Sequence, residues 1–411
     1  MKIYNPKNEW ICTFITFLLI PLSGLATDIY LPSFPEMQNY FHVSPTAVQS
    51  TLTYFLISYG VSMLFVGSII DSFGRYKIGI FALFIFSLSN IVIVTTHSIH
   101  MMNLMRVLQG LAIAFIVVSK RAFLVDIFSG KKLQHYMSIL TIVWSMAPIT
   151  APFLGGYLQK LFGWSFNFYF LGIFSFLILV LELIYGGEAI KHYKKFNKAE
   201  IWNAYKTILT TKDFTFGLFV LGSCYSMTMV FGMSSSFIIE NHYGLSAVVT
   251  GYCALISGLG LLTGGIIGKT LQHKDFTTKL VTGSICIVIL GLLLYGAGFY
   301  TDSLLLMMII VYLLQSSTGF LYTLYFTYCI TRFPQFAGVS NGLASGGSYV
   351  FTSVFSIIIV HLYVIDKPIG LSYSYITLGV LLLIAVSFFV RSIGKQKKLT
   401  EELVPEQVEN E

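Results

Sequence analysis

Long apolar runs separated by short polar turns dominate this chain. Residues 46–70 and 78–95 are typical, each long enough to cross the roughly 30 Å hydrocarbon layer of a bilayer as a helix. Counted along the chain, twelve such runs are predicted: 10–30, 46–70, 78–95, 101–128, 134–159, 166–187, 214–239, 247–271, 280–299, 303–330, 337–363 and 369–390. The first run, preceded by Lys2 and Lys7 and containing Gly24-Leu25-Ala26, mimics a secretory leader, but it is long for one and is read as an uncleaved span. Residues 188–213, which hold Lys191, Lys194, Lys195, Lys198, Lys206 and Lys212, are too polar to cross and are predicted to link two six-helix halves, 1–187 and 214–392. A tail, 393–411, follows, basic at Lys395, Lys397 and Lys398 and then acidic.

Composition makes this a membrane protein. Of 411 residues 55% are hydrophobic, 16% aromatic and only 10% charged, and the mean hydropathy is +0.78, so the chain has too little polar surface to be soluble. The formal charge of +7 is distributed by orientation: in this topology all but Lys160, Lys367 and Arg106 of the 25 Lys and Arg fall on one face, which the positive-inside rule makes cytoplasmic, together with both chain ends. No nucleic-acid partner is implied.

Five cysteines stand singly in apolar runs, and eight histidines are dispersed, so neither a disulfide framework nor a metal site is expected. There is no G-x-x-x-x-G-K-[ST], HExxH or G-x-S-x-G, which disfavours ATP-driven transport and hydrolase chemistry. No cofactor is expected.

The turn between the second and third runs, Gly67-Ser68-Ile69-Ile70-Asp71-Ser72-Phe73-Gly74-Arg75-Tyr76-Lys77, resembles the G-x-L-x-D-R-x-G-R-K/R loop of the major facilitator superfamily, carried by Gly67, Asp71, Gly74 and Arg75. Ser72 replaces its first basic residue. Gly67-x-x-x-Asp71 is echoed by Gly264-x-x-x-Gly268-Lys269 in the second half; six spans per half give both halves one orientation, as in the parallel repeat of that superfamily. Thr27-Asp28-Ile29-Tyr30-Leu31-Pro32, Arg106-x-x-Gln109-Gly110 and the segment from Pro148 through Pro152 to Gly155-Gly156 resemble the bicyclomycin and chloramphenicol resistance exporters of the Bcr/CflA type. The second half matches less well, with Tyr322 and Thr323 near a common Pro-Asn. The resemblance implies an all-α integral membrane protein of the major facilitator fold, 12 transmembrane helices in two pseudo-symmetric halves, acting as a monomeric drug:proton antiporter in the bacterial inner membrane.

Asp28 carries the sharpest physical argument. An intramembrane carboxylate costs about 2.5 to 3.5 kcal/mol even on lenient insertion scales, so it should face a wet cavity or a partner. At 1.5 Å per residue Asp28 lies about 26 Å and Arg106 about 30 Å above the inner edge, so the two can meet in the outer third of the bilayer. A neighbouring cation favours an ionised carboxylate and dry surroundings a protonated one, so together they read as a proton-coupling pair. The plainer alternatives are that Asp28 is a helix-end acid in water and that Arg106 pins its helix through carbonyls and Gln109. Glu182 is the next candidate acid.

Gating is expected at Gly67, Asp71, Gly74 and Arg75, where Arg75 can fold back on Asp71 as a clasp, and at Pro148, Pro152, Gly155 and Gly156, where prolines bend a helix and glycines admit a close neighbour. Gly260, Gly264, Gly268 and the Gly342–Gly346 pair read as packing positions. By fold analogy Tyr30, Tyr54, Tyr59, Asn90, Gln109, Trp144, Tyr225, Met227, Met229, Tyr322 and Tyr325 line a pocket for an amphipathic small molecule. The reading is a secondary transporter exporting a small organic compound (drug, metabolite or siderophore) against protons; import of a metabolite, nucleoside or siderophore, or a sensor or enzyme on a vestigial transporter fold, are the alternatives. If both ends are cytoplasmic, a cysteine placed at 195 reacts with an impermeant thiol reagent only from the inside; labelling from outside would invert this topology.

Overall fold

The computed structural model describes residues 2–190, 193, 198–271 and 275–402, with the side chains of a few further positions, Trp144 among them, outside the described residues. Lys191, Lys194 and Lys195 of the predicted linker also lie outside them. Eleven helices are long and apolar enough to cross a membrane: α1 Pro6–Phe41, α2 Pro45–Phe73, α3 Arg75–Thr95, α4 Ile99–Ile127, α6 Ser165–Tyr185, α7 Lys212–His242, α8 Ala247–Thr270, α9 Phe276–Tyr300, α10 Leu304–Thr331, α11 Gly338–Leu362 and α12 Pro368–Arg391. The twelfth place in the order falls to α5, Gly130–Phe162, a 33-residue helix containing Pro148 and Pro152.

The first helix departs from the expected single span. It is broken into Glu9–Leu19, Leu22–Asp28, a 3-10 turn Leu31–Ser33 and Phe34–Phe41, ending at His42 with φ 52. The cause is in the sequence: Pro21, Pro32 and Pro35 have no N–H to give to the preceding turn. Pro32 in particular leaves the carbonyl of Asp28 without its helical donor. A second irregularity closes α7, whose last turn, Phe237–His242, is π-helical.

The polar segment predicted as a linker contains a short helix, Lys198–Thr210, which lies against α7 and α11 with Ala204 and Ile208 buried. At the same end of the molecule the N-terminal residues meet the end of α6, where Lys2 Nζ donates to the carbonyls of Leu183 and Ile184 at 2.6 Å each.

Glycines set the closest helix contacts, because lipid-like surroundings leave interhelical packing to van der Waals fit rather than to hydrophobic exclusion. Within the second half, α8 and α10 run backbone to backbone: a Cβ at Gly260 would lie 2.7 Å from the Tyr312 carbonyl oxygen, and one at Gly264 would overlap that of Ser316. Between halves, a Cβ at Gly60 of α2 would sit 2.7 Å from the Gly346 carbonyl oxygen of α11. The packing roles read for Gly260, Gly264 and Gly346 are therefore realised. Gly264→Ala is expected to cost about 1 to 3 kcal/mol, because the obstacle is backbone that cannot turn aside, whereas Gly67→Ala, with nothing within 4 Å of the added carbon, should stay within about 0.5 kcal/mol. Thermal unfolding of the two variants in detergent would separate them.

Candidate functional site

Arg106 is fully buried on α4 and is held on every side. Nη1 donates to Gln109 Oε1 at 2.7 Å and Nη2 to the Ala26 carbonyl at 3.1 Å, while the guanidinium sits 4.5 Å from the centre of the Tyr30 ring and 4.2 Å from that of Phe55. Tyr30 is fixed in turn by its hydroxyl, 3.1 Å from Thr51 Oγ1. Arginine, with a planar face and several donors, suits such a cage of one carbonyl, one amide oxygen and two ring faces.

Asp28 and Arg106 are brought to the same level, but they form no ion pair among the described residues. The guanidinium grips the carbonyl of Ala26, two residues before Asp28, and acts on the carboxylate only through space. The Asp28 side chain is 3% exposed and its Oδ2 has no hydrogen-bond partner, so the alternative of a loop acid in bulk water is set aside. The alternative for Arg106, a residue that pins its helix through a carbonyl and Gln109, matches its contacts directly.

Asp28 faces a cavity of about 780 Å3 between the halves. Its wall is largely apolar and aromatic, built from Leu31 of α1, Pro148 and Pro152 of α5, Tyr225, Met229 and Phe231 of α7, Tyr322 of α10 and Tyr349 of α11. Thus Tyr225, Met229 and Tyr322 take the places expected of them. Tyr59 does not line the cavity but lies behind Tyr349, with ring centres 4.8 Å apart, and Tyr225 packs on the other side of Tyr349 at 5.5 Å. Tyr349 escaped the sequence reading; only the neighbouring Gly342-x-x-x-Gly346 spacing marked its helix as closely packed.

Several expected lining residues are elsewhere. Tyr54 points outward from α2, 42% exposed, because it lies on the face of the helix away from α4 and α11. Asn90 is buried between α3 and α6, its amide nitrogen donating to the Phe86 carbonyl at 2.7 Å. Tyr325 is buried against Phe276 and Phe389 behind the cavity wall. Tyr30 and Gln109 serve Arg106, and Met227 lies behind the wall against Thr318. The Trp144 side chain is outside the described residues. Glu182, the reserve acid, is paired with Lys120 of α4.

The cavity is closed at the end away from the basic turns. There Gln49 Nε2 of α2 donates to the Met233 carbonyl of α7 at 3.2 Å, Tyr157 and Tyr252 meet through their hydroxyls at 3.1 Å, and Phe34 packs on Phe237. Gly156 meets the Ala247 carbonyl across the halves, but Gly155 admits the Ile29 carbonyl of its own half, where a Cβ would overlap the oxygen. This pins the turn after Asp28 against α5. Below Ile149 and Gly258 the cavity wall continues down α8 to Lys269 and across to Lys279 of α9, at the open end.

The expected clasp at the α2–α3 turn is present and larger than its own sequence. Arg75 Nη2 donates to Asp71 Oδ1 at 2.8 Å, and Nη1 donates to Asp126 and, at 2.8 Å, to the Ala122 carbonyl of α4. Gly74 makes the turn with φ 98, in the region that favours glycine. Gly67 has open space around it.

Eleven apolar helices long enough to cross a membrane, packed around a solute-sized cavity, define a multi-pass membrane protein of transporter fold. Residues 16–357 match the family described as Major Facilitator Superfamily, and the chain belongs to that family; it is a transporter and not an enzyme. Multidrug resistance protein D of Escherichia coli (strain K12) is 25% identical over 345 residues, 82% of this chain and 86% of the relative. A bicyclomycin resistance protein homolog of Haemophilus influenzae is 35% identical over 175 residues, 43% of this chain and 44% of that one. The crystal structure of a D-xylose-proton symporter shares the fold, with a TM-score of 0.71 at 14% identity, over 92% of this chain and 96% of the symporter.

Because Asp71 and Asp126 share Arg75 far from the cavity, Asp71→Asn should slow turnover in reconstituted vesicles while leaving substrate affinity unchanged. Equal turnover in wild type and variant would make the turn a plain connection.

Proposed function

We propose that the protein is a proton-coupled exporter of a small amphipathic compound, with Asp28 as the coupling carboxylate and Arg106 as the residue that holds α1 and sets the field around it. The observation that carries this reading is a nearly dry carboxylate with an unbonded oxygen at the closed end of an aromatic cavity. Such a group has two low-energy responses: it takes a proton, or a ligand changes its surroundings enough to expel one. A substrate entering from the open end and a proton held at Asp28 then compete, which is the logic of antiport. Relatives named for multidrug and bicyclomycin resistance support export of foreign compounds.

The basic bias of the turns supports an open end facing the cytoplasm, with both chain ends on that side. The protein is then a monomer in the bacterial inner membrane, its partners being substrate, protons and lipid. One proton crossing a 100 mV potential releases about 2.3 kcal/mol, roughly a fiftyfold concentration ratio, so one proton per neutral molecule suffices for export.

Everted vesicles screened for proton movement on addition of each compound would identify the substrate. With that compound in hand, Asp28→Asn should still bind it when it is neutral, lose the pH dependence of binding, and release no proton on adding substrate in weakly buffered detergent solution. Proton release by that variant would assign coupling to another acid.

A further inference from the structure

The helix Lys198–Thr210 between the two halves carries three stripes of different chemistry. Ala204 and Ile208 are buried against the bundle, and beside them the Tyr205 hydroxyl donates to the Leu64 carbonyl of α2. Asn203, Thr207 and Thr210, at i, i+4 and i+7, form an exposed polar stripe. Trp202, Lys206 and Leu209 have the same spacing and are exposed as well, Trp202 at 72% and Leu209 at 44%. A helix that meets only protein and water needs two faces; this one has three.

The third stripe lies at membrane level. Leu64 is seven residues from Asp71, about 10 Å of helix away from the turn at the membrane surface, so the bond from Tyr205 holds the linking helix beside the bundle and not beneath it. Tyr205 also packs on Phe65, with ring centres 6.3 Å apart, and Phe65 and Val61, 51% and 42% exposed, belong to the outward apolar face of α2. At about 100° per residue Trp202 and Leu209 fall on the Tyr205 side of their helix, so their stripe continues that face. Residues 191–212 hold six lysines against one acid, Glu200, and Asp213, which follows, is taken by Arg332. An exposed indole beside a basic segment at this level is complementary to an anionic lipid surface.

We propose that this helix is a docking surface for the lipid leaflet on the side of the basic turns, with Trp202 and Leu209 entering at the boundary of head groups and acyl chains and Lys206 meeting the phosphates of anionic lipids. Its protein-facing stripe touches α2 of one half and α7 and α11 of the other, next to the point where Gly342 approaches the Met63 carbonyl. Lipid held there therefore bears on the seam between the halves. Neither the substrate nor proton coupling enters into this contact.

The test uses the full-length protein in nanodiscs, with brominated lipid as the quencher from the membrane and iodide as the quencher from water. The difference in emission between wild type and Trp202→Phe isolates the one indole. It should be quenched strongly by lipid brominated near the head of the chain, less by lipid brominated near its middle, and little by iodide. Asn203→Trp in the Trp202→Phe protein moves the indole to the polar stripe and should make iodide the stronger quencher. At low and equal mole fraction, brominated phosphatidylglycerol should occupy the site about fivefold more than brominated phosphatidylcholine, as one lysine near an anionic surface allows. Raised salt or Lys206→Gln should remove that preference while quenching by the chains persists. Iodide outperforming the lipid quenchers at Trp202 would place the stripe in water, and protection from both would place it against protein, such as a second copy of this chain; either result overturns the proposal. Equal occupancy by the two lipids in wild type would overturn the assignment of Lys206 to anionic head groups.

Discussion

The burial of one guanidinium organises the first half of this protein. A cation so far from water is tolerated where its donors find acceptors and the remaining surface meets polarisable faces. Arg106 has a carbonyl from α1 on Nη2, an amide oxygen from its own helix on Nη1, and the rings of Tyr30 and Phe55 on its faces, while its Nε has no hydrogen-bond partner. Three helices are thereby tied at one point. Because the carbonyl comes from Ala26, the same contact fixes where Asp28 stands. Breaking the cage would leave a buried charge uncompensated, so the position of the carboxylate and the stability of the half are linked.

Transport requires a structure that is rigid within each half and yielding between them. Within halves, backbone meets backbone at Gly260, Gly264 and Gly319 in one and at Gly110 and Gly155 in the other, contacts that no side-chain rotation relieves. Between halves at the closed end, an amide on a carbonyl, two tyrosine hydroxyls and a pair of phenyl rings stand beside close backbone approaches of Gly156 to Ala247 and of Gly251 to Pro152. The hydrogen bonds among them are individually modest and can be exchanged for water, which suits a surface that must part. The Arg75 cluster supplies a third kind of contact, ionic and at the opposite end, sensitive to the relative positions of α2, α3 and α4.

Tyr349 shows why a site between two halves is hard to read from a chain. Nothing local distinguishes Tyr349 from the other 24 tyrosines; its role comes from Tyr59 on one side and Tyr225 on the other, residues about 290 and 124 positions away. Tyr54 fails for the converse reason. Five residues from Tyr59 on one helix, it lies on another face, and an apolar helix buried on several sides gives too weak a periodicity to tell them apart.

By itself the sequence determined that the chain is a helical membrane protein, the order of its apolar helices but not their ends, that Asp28 and Arg106 lie at one depth, and that Asp71 and Arg75 belong to one turn. These follow from length, composition and helical rise, all of which act locally. The tertiary structure decided that Arg106 binds a carbonyl and not the carboxylate, that Arg75 also reaches Asp126, that Glu182 is taken by Lys120, and which end of the cavity is open. Each of those depends on which helix faces are turned toward one another, and that choice is made by packing between segments distant in the chain, where close backbone approach and the cost of unpaired buried polar groups outweigh any local preference.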